Sequence, residues 1–241
     1  MAFVTSSTFL TTSSSMSTST TKTVTAPATI SVGNTLIAYL YTADNASTTT
    51  SWSLAGWSFT AISQCSSSNA GALHIGIKTA VTADTTAPSY AFAGTNTTSI
   101  AWYVAAAILN YTGLGSTLST TPSANNSTSS SVTTNAAPAV SPAASTNLLL
   151  ACFGSLDGVA TSTIPAGMTS RANAYSSGNE TMIVLDQTLS ASGTTGTRTQ
   201  TFAGTDWLVG SLMTISPAGA AGSLPTASTI ISQAVNRSYT Y

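Results

Sequence analysis

Charge is what this chain has least of. Five Lys/Arg and six Asp/Glu are spread over 241 residues, 5% of the sequence, where an ordinary domain carries about 25%. There is one histidine, and there are two cysteines. Acid–base, metal and phosphate chemistry all use these side chains, so the composition points to a protein that is not an enzyme and holds no cofactor. Nucleic acid is an unsuitable partner on the same ground, because binding it neutralises phosphates with several Lys and Arg. Here Lys22, Lys78, Arg171, Arg198 and Arg237 are scattered and form no basic run. Long apolar stretches are missing too. Ile100 to Leu109 is ten residues, half of the roughly 20 that cross a bilayer, so no membrane partner is expected. The opening Met1-Ala2-Phe3-Val4-Thr5-Ser6 shows neither the basic segment nor the apolar core of a secretory leader.

What is present is hydroxyl and apolar residues in alternation. Disordered chains combine low hydrophobicity with high net charge, whereas this one is 42% hydrophobic with net charge −1. Ser and Thr interleaved with Leu, Ile, Val and aromatics read as strands with one wet face. Net charge near zero favours association, which suits a protein packed densely against copies of itself.

The chain also echoes itself. Gly33-Asn34-Thr35-Leu36-Ile37-Ala38 is answered by Ser145-Thr146-Asn147-Leu148-Leu149-Leu150-Ala151, and Ala55-Gly56-Trp57 by Ala166-Gly167-Met168. Leu73–Lys78 is answered by Thr181–Asp186, which sets His74 against Met182. Phe92-Ala93-Gly94-Thr95 recurs unchanged as Phe202-Ala203-Gly204-Thr205, and Trp102-Tyr103-Val104 is answered by Trp207-Leu208-Val209. Five matches in one order describe two half-repeats, about 30–112 and 143–217. In the last strand of the first half, Ile100, Trp102, Val104, Ala106 and Ile108 form the bulkier face, expected to point to the core. Short strands, turn residues between them and no convincing helix indicate an all-β chain. The expected architecture is a single jelly-roll-like antiparallel β-sandwich of two pseudo-repeated halves over 27–217, with the halves contributing strands to both sheets. Residues 1–26 form an N-terminal arm or peripheral strand, and 218–241 a linker and C-terminal docking segment. After Ala218-Gly219-Ala220-Ala221-Gly222, the docking segment carries Ile230, Ile231, Val235, Tyr239 and Tyr241.

Candidate chemistry is thin. His74 has no cluster of Cys, His, Asp or Glu around it in sequence, so it reads as structural and no metal is expected. Asp44, Asp84, Asp157 and Asp206 sit among Asn, Ser, Thr and Gly, as turn-forming residues do, while Glu180 and Asp186 flank a strand. A glycosidase pair drawn from these six is the least favoured reading. Cys65 and Cys152 read as free thiols, with pairing open should the chain meet an oxidising compartment. Trp57 aligns with Met168, and Trp102 with Trp207, as core positions do. Trp52, in the Thr48–Trp52 stretch, is the one tryptophan expected to stand free as a platform for a sugar or receptor.

The order Val32-Gly33-Asn34-Thr35-Leu36-Ile37-Ala38, Ala55-Gly56-Trp57, Ile164-Pro165-Ala166-Gly167-Met168 and Gly193-Thr194-Thr195-Gly196-Thr197-Arg198 resembles β-sandwich modules of bacteriophage structural proteins and bacterial surface proteins. The resemblance covers about residues 30–217. It implies a non-enzymatic virion protein, made in the host cytoplasm, that decorates or cements a capsid or forms part of a head or tail fibre. The implied partners are the protein itself, as a trimer or other homo-oligomer, and a major capsid or tail protein. The alternative it leaves is a module on the bacterial cell surface that binds glycans or a receptor through loop aromatics such as Trp52.

Overall fold

The computed structural model describes residues 8–9, 15–17, 21–43, 50–63, 71–96, 102–127, 130–143, 147–177 and 180–218. Nine strands make the first half: β1 (Thr8–Phe9), β2 (Ser15–Ser17), β3 (Thr21–Thr25), β4 (Thr35–Ala43), β5 (Thr50–Ser53), β6 (Ser58–Ser63), β7 (Ala72–Thr79), β8 (Ser89–Asn96) and β9 (Trp102–Tyr111). The second half repeats the series as β10 (Leu114–Leu118), β11 (Ser123–Asn126), β12 (Val132–Ala137), β13 (Leu148–Ser155), β14 (Thr161–Thr163), β15 (Thr169–Ser176), β16 (Glu180–Thr188), β17 (Arg198–Asp206) and β18 (Leu208–Pro217). A 3-10 turn at Thr82–Thr86 is the only helical element among the described residues.

The chain is all-β, its strand pairs are antiparallel, and it is a sandwich architecture built from two repeated halves, in keeping with the sequence. Its layering is richer than one double sheet. The first half forms a large sheet ordered β1-β9-β4-β7-β6, with β2 also on β9, and a small sheet ordered β3-β8-β5. The second half forms β10-β18-β13-β16-β15, with β11 also on β18, and a small sheet ordered β12-β17-β14. Among the described residues no sheet takes strands from both halves, so the expected exchange of strands between halves is not seen there. The halves meet instead through packing. Leu36, Ala38 and Leu40 face a core between the two sheets of the first half, and Leu149, Ala151 and Phe153 a core between those of the second. A third core, holding Ile37, Tyr39 and Tyr41 against Leu150, Cys152 and Met213, lies between the large sheets.

This stacking explains two kinds of strand in the sequence. The inner strands of the large sheets, β4, β7, β9, β13, β16 and β18, are buried on both faces over most of their length and read as largely apolar runs; all eight residues of β13 are buried. Strands of the small sheets have one wet face, and β3 alternates exposed and buried through Thr21-Lys22-Thr23-Val24-Thr25. The single-sided reading of β9 is therefore corrected. Val104, Ala106 and Ile108 do face a core, but Ala105, Ala107 and Leu109 face the central one. The small side chains let the sheets approach, and Tyr39 stands opposite Ala107 across the ladder.

The repeat also reaches further than the echoes suggest. Strands at 8–25 hold the same places in the first half that β10, β11 and β12 hold in the second. The recurrent Ala-Gly turn has a conformational cause. Gly56 and Gly167 have φ of +80° and +79°, a region that disfavours side chains, and each turn closes on a backbone bond, Trp57 N–H to Leu54 O at 3.0 Å and Met168 N–H to Pro165 O at 3.2 Å.

Ladder register corrects three sequence equivalences. Ala38 and Ala151 face the outer core of their own half. They pair with Ile108 and Leu212 on one side and with Gly76 and Leu185 on the other. Trp207 thus takes the place of Tyr103 rather than Trp102, His74 matches Ile183 rather than Met182, and Asp186 matches Ile77. A slip of one residue moves a side chain to the opposite face, which is why these assignments matter.

Candidate functional site

The few charges are mostly inside. Of the nine charged residues described, Lys22, Asp84, Glu180, Asp186 and Asp206 are buried. Lys78, Arg171 and Arg198 are half-buried, and Asp157 alone is exposed. Charge this far from water must be matched or neutralised, and each group shows how.

Asp84, on the 3-10 turn, accepts from Lys78 Nζ at 2.7 Å, the Val81 N–H at 2.7 Å and the Tyr90 hydroxyl at 3.0 Å. Burial pushes its carboxyl up, but these three donors outweigh that and hold it below the usual range. The group ties the turn to β7 and β8. Asp206, at the end of β17, accepts from the Asp157 N–H and the Trp207 N–H, both at 2.7 Å, and from the Ser155 hydroxyl. Asp157 is pushed up by burial and then by the Asp206 charge beside it. The two carboxylates are near one another, yet Asp206 is committed to holding the β13–β14 and β17–β18 turns.

Asp186 lies in the joint between halves. Its Oδ2 accepts from the Tyr111 hydroxyl of the first half at 2.8 Å and from Arg171 Nε of β15 at 2.8 Å. Where the first half places Ile77, the second places a carboxylate that reaches across the joint. Nothing in the echo of Leu73–Lys78 and Thr181–Asp186 marked this, because it requires the register and the packing together.

Glu180 is different. It opens β16 with no exposed surface, and among the described residues neither carboxylate oxygen has a hydrogen-bond partner. Burial pushes its carboxyl up to about 7, against the opposing pull of Lys22. Lys22 is lowered by its own burial, with Glu180 partly offsetting that.

The tryptophan expected to be free is not. Trp52 lies in β5, 4% exposed, among the residues of the first half's core; the platform reading is corrected, since a ring enclosed by a core has no open face for a sugar. The alternating pattern of β5 places it inside, and the Ser/Thr context around it concealed that. Trp57 packs edge-on against Tyr90 and Phe92, with centroids 5.4 and 5.3 Å away. His74 is buried in β7. Cys152 is a buried free thiol, pushed up by burial, and Cys65 lies outside the described residues. The docking residues Ile230, Ile231, Val235, Tyr239 and Tyr241 also lie outside them. Among the described residues no group of three His, Cys, Asp or Glu could hold a metal ion, and no helix is long and apolar enough to cross a membrane.

With the charges withdrawn, the outward faces of the small sheets are neutral. Thr23, Thr25 and Ser53 are exposed on one, Thr134, Thr199 and Thr205 on the other. These wide hydroxyl faces, rather than a cleft, are the candidate working surface. No family model, curated protein or solved structure matches the chain.

Proposed function

We propose that the protein is a non-enzymatic structural component of a virion, one that decorates or cements a phage capsid or forms part of a fibre. The observation that carries the reading is the placement of charge: one of nine described charged residues is exposed, and the outer sheets present hydroxyls to solvent. A neutral Ser/Thr surface lacks the self-repulsion that keeps soluble proteins apart and is suited to dense, repeated contact. Attachment then rests on apolar burial, at about 25 cal/mol per Å², and on backbone strand addition at sheet edges, with the protein itself and a major capsid or tail protein as partners. The stack of four sheets supports the reading as a rigid block rather than a cleft built around a reaction.

Gold-labelled antibody against the purified protein, applied to particles from a producing culture, tests this. Labels at repeated positions on capsid or tail are the expected result. Particles without label, with the protein found on the bacterial cell surface instead, would overturn the virion reading.

A further inference from the structure

Each half covers the edge of its last strand with its own first strand. β1 lies on β9, with Thr8 opposite Asn110 and Phe9 opposite Leu109. β10 lies on β18, with Leu118 opposite Ile215. The sequence around β1 recurs at 224–233. Phe3-Val4-Thr5-Ser6-Ser7-Thr8-Phe9-Leu10-Thr11-Thr12 is matched by Leu224-Pro225-Thr226-Ala227-Ser228-Thr229-Ile230-Ile231-Ser232-Gln233. Apolar residues fall at the same three places, Phe3/Leu224, Phe9/Ile230 and Leu10/Ile231. Between and after them Thr5/Thr226, Ser7/Ser228, Thr8/Thr229 and Thr11/Ser232 keep the hydroxyls in step.

We infer that residues 226–233 are a second β1, made to pair with the β9 edge of another copy of this chain. Both matching edges are filled within one chain, β9 by β1 and β2, and β18 by β10 and β11. The acceptor that the segment matches is therefore β9 of a neighbour, entered in place of that neighbour's β1. The β-branched Ile230 and Ile231 favour a strand. No charged residue lies between Asp206 and Arg237, so docking desolvates no charge in that stretch. Residues 219–225 allow a reach of up to about 23 Å, at roughly 3.3 Å per extended residue. The result is head-to-tail strand exchange, a heterologous contact that builds rings or open chains. It rests on the assembly reading above and names the receiving edge for it.

The test uses the purified full chain without particles, so its outcome is separate from that of particle labelling. Ile230 is replaced by the photo-crosslinker benzoylphenylalanine, and light and isotopically heavy protein are mixed before illumination. Mixed-isotope crosslinks that map to 102–111 are expected. Crosslinks within one chain, crosslinks to other segments, or none would overturn the proposal. A second full-length variant, Ile230→Asp with Ile231→Asp, should lose the concentration-dependent rise in mass seen by light scattering. A rise undiminished in that variant, or absent in the unsubstituted chain, would also sink it.

Discussion

Glu180 sits at the first position of β16 with its carboxylate oxygens enclosed and, among the described residues, without a hydrogen-bond partner, and its carboxyl pushed up to about 7. In the unfolded chain an ordinary glutamate titrates near 4.3. An acid raised on folding is protonated in the native state while its unfolded counterpart has already ionised. Its stability contribution is therefore full below about pH 4.3, declines as pH rises toward 7, and stays lost above that. The decline is on the order of 3 kcal/mol. Urea unfolding from pH 4.5 to 7.5 should show the midpoint falling, and Glu180→Gln should remove most of that fall. The difference between the two proteins is the informative quantity, since Asp84, held low by Lys78, Val81 and Tyr90, loses its contribution only at more acidic pH. Equal pH profiles for both proteins would show that Glu180 does not titrate in this window.

At the scale of the strand, position in the stack decides what a side chain can be. Ala107 of β9 is fully buried in the central core, whereas Ala91 of β8 is exposed on an outer face. Ala107→Leu should overpack the joint and cost about 1–3 kcal/mol, while Ala91→Leu should change stability by no more than about 0.5 kcal/mol. Chemical denaturation of both variants checks this; equal effects would mean that β9 is not enclosed on both faces. Much of this arrangement was legible in the residues. The Ala-Gly turns, the repeated Phe-Ala-Gly-Thr and the apolar runs of β4 and β13 disclosed the strands and the duplication, because turn geometry and alternation are local. The second buried face of β9 was not legible, since Ala105 and Ala107 look like filler until Tyr39 and the opposing sheet are in place. Trp52 was misplaced for a related reason: in a four-residue strand among Ser and Thr, burial comes from the facing sheet.

The whole molecule is two copies of one sandwich joined by a continuous apolar core, crossed by the Tyr111–Asp186–Arg171 contacts. The scarcity of charge was plain from composition, but its spatial meaning was not. Sequence placed the carboxylates in turns, and Asp84 and Asp206 do hold turns, yet both are buried, as are Glu180 and Asp186. Of the described charged residues, Asp157 alone is thus left exposed. A surface of this kind has little to lose when ions screen it, and its contacts depend on burial and backbone pairing. The most direct measurement is retention on purified particles in low salt and in about 1 M NaCl, where charges are screened within about 3 Å. The bound fraction after sedimentation should be unchanged or higher at high salt if contacts rest on burial and backbone pairing. Release of most of the protein at high salt would contradict it.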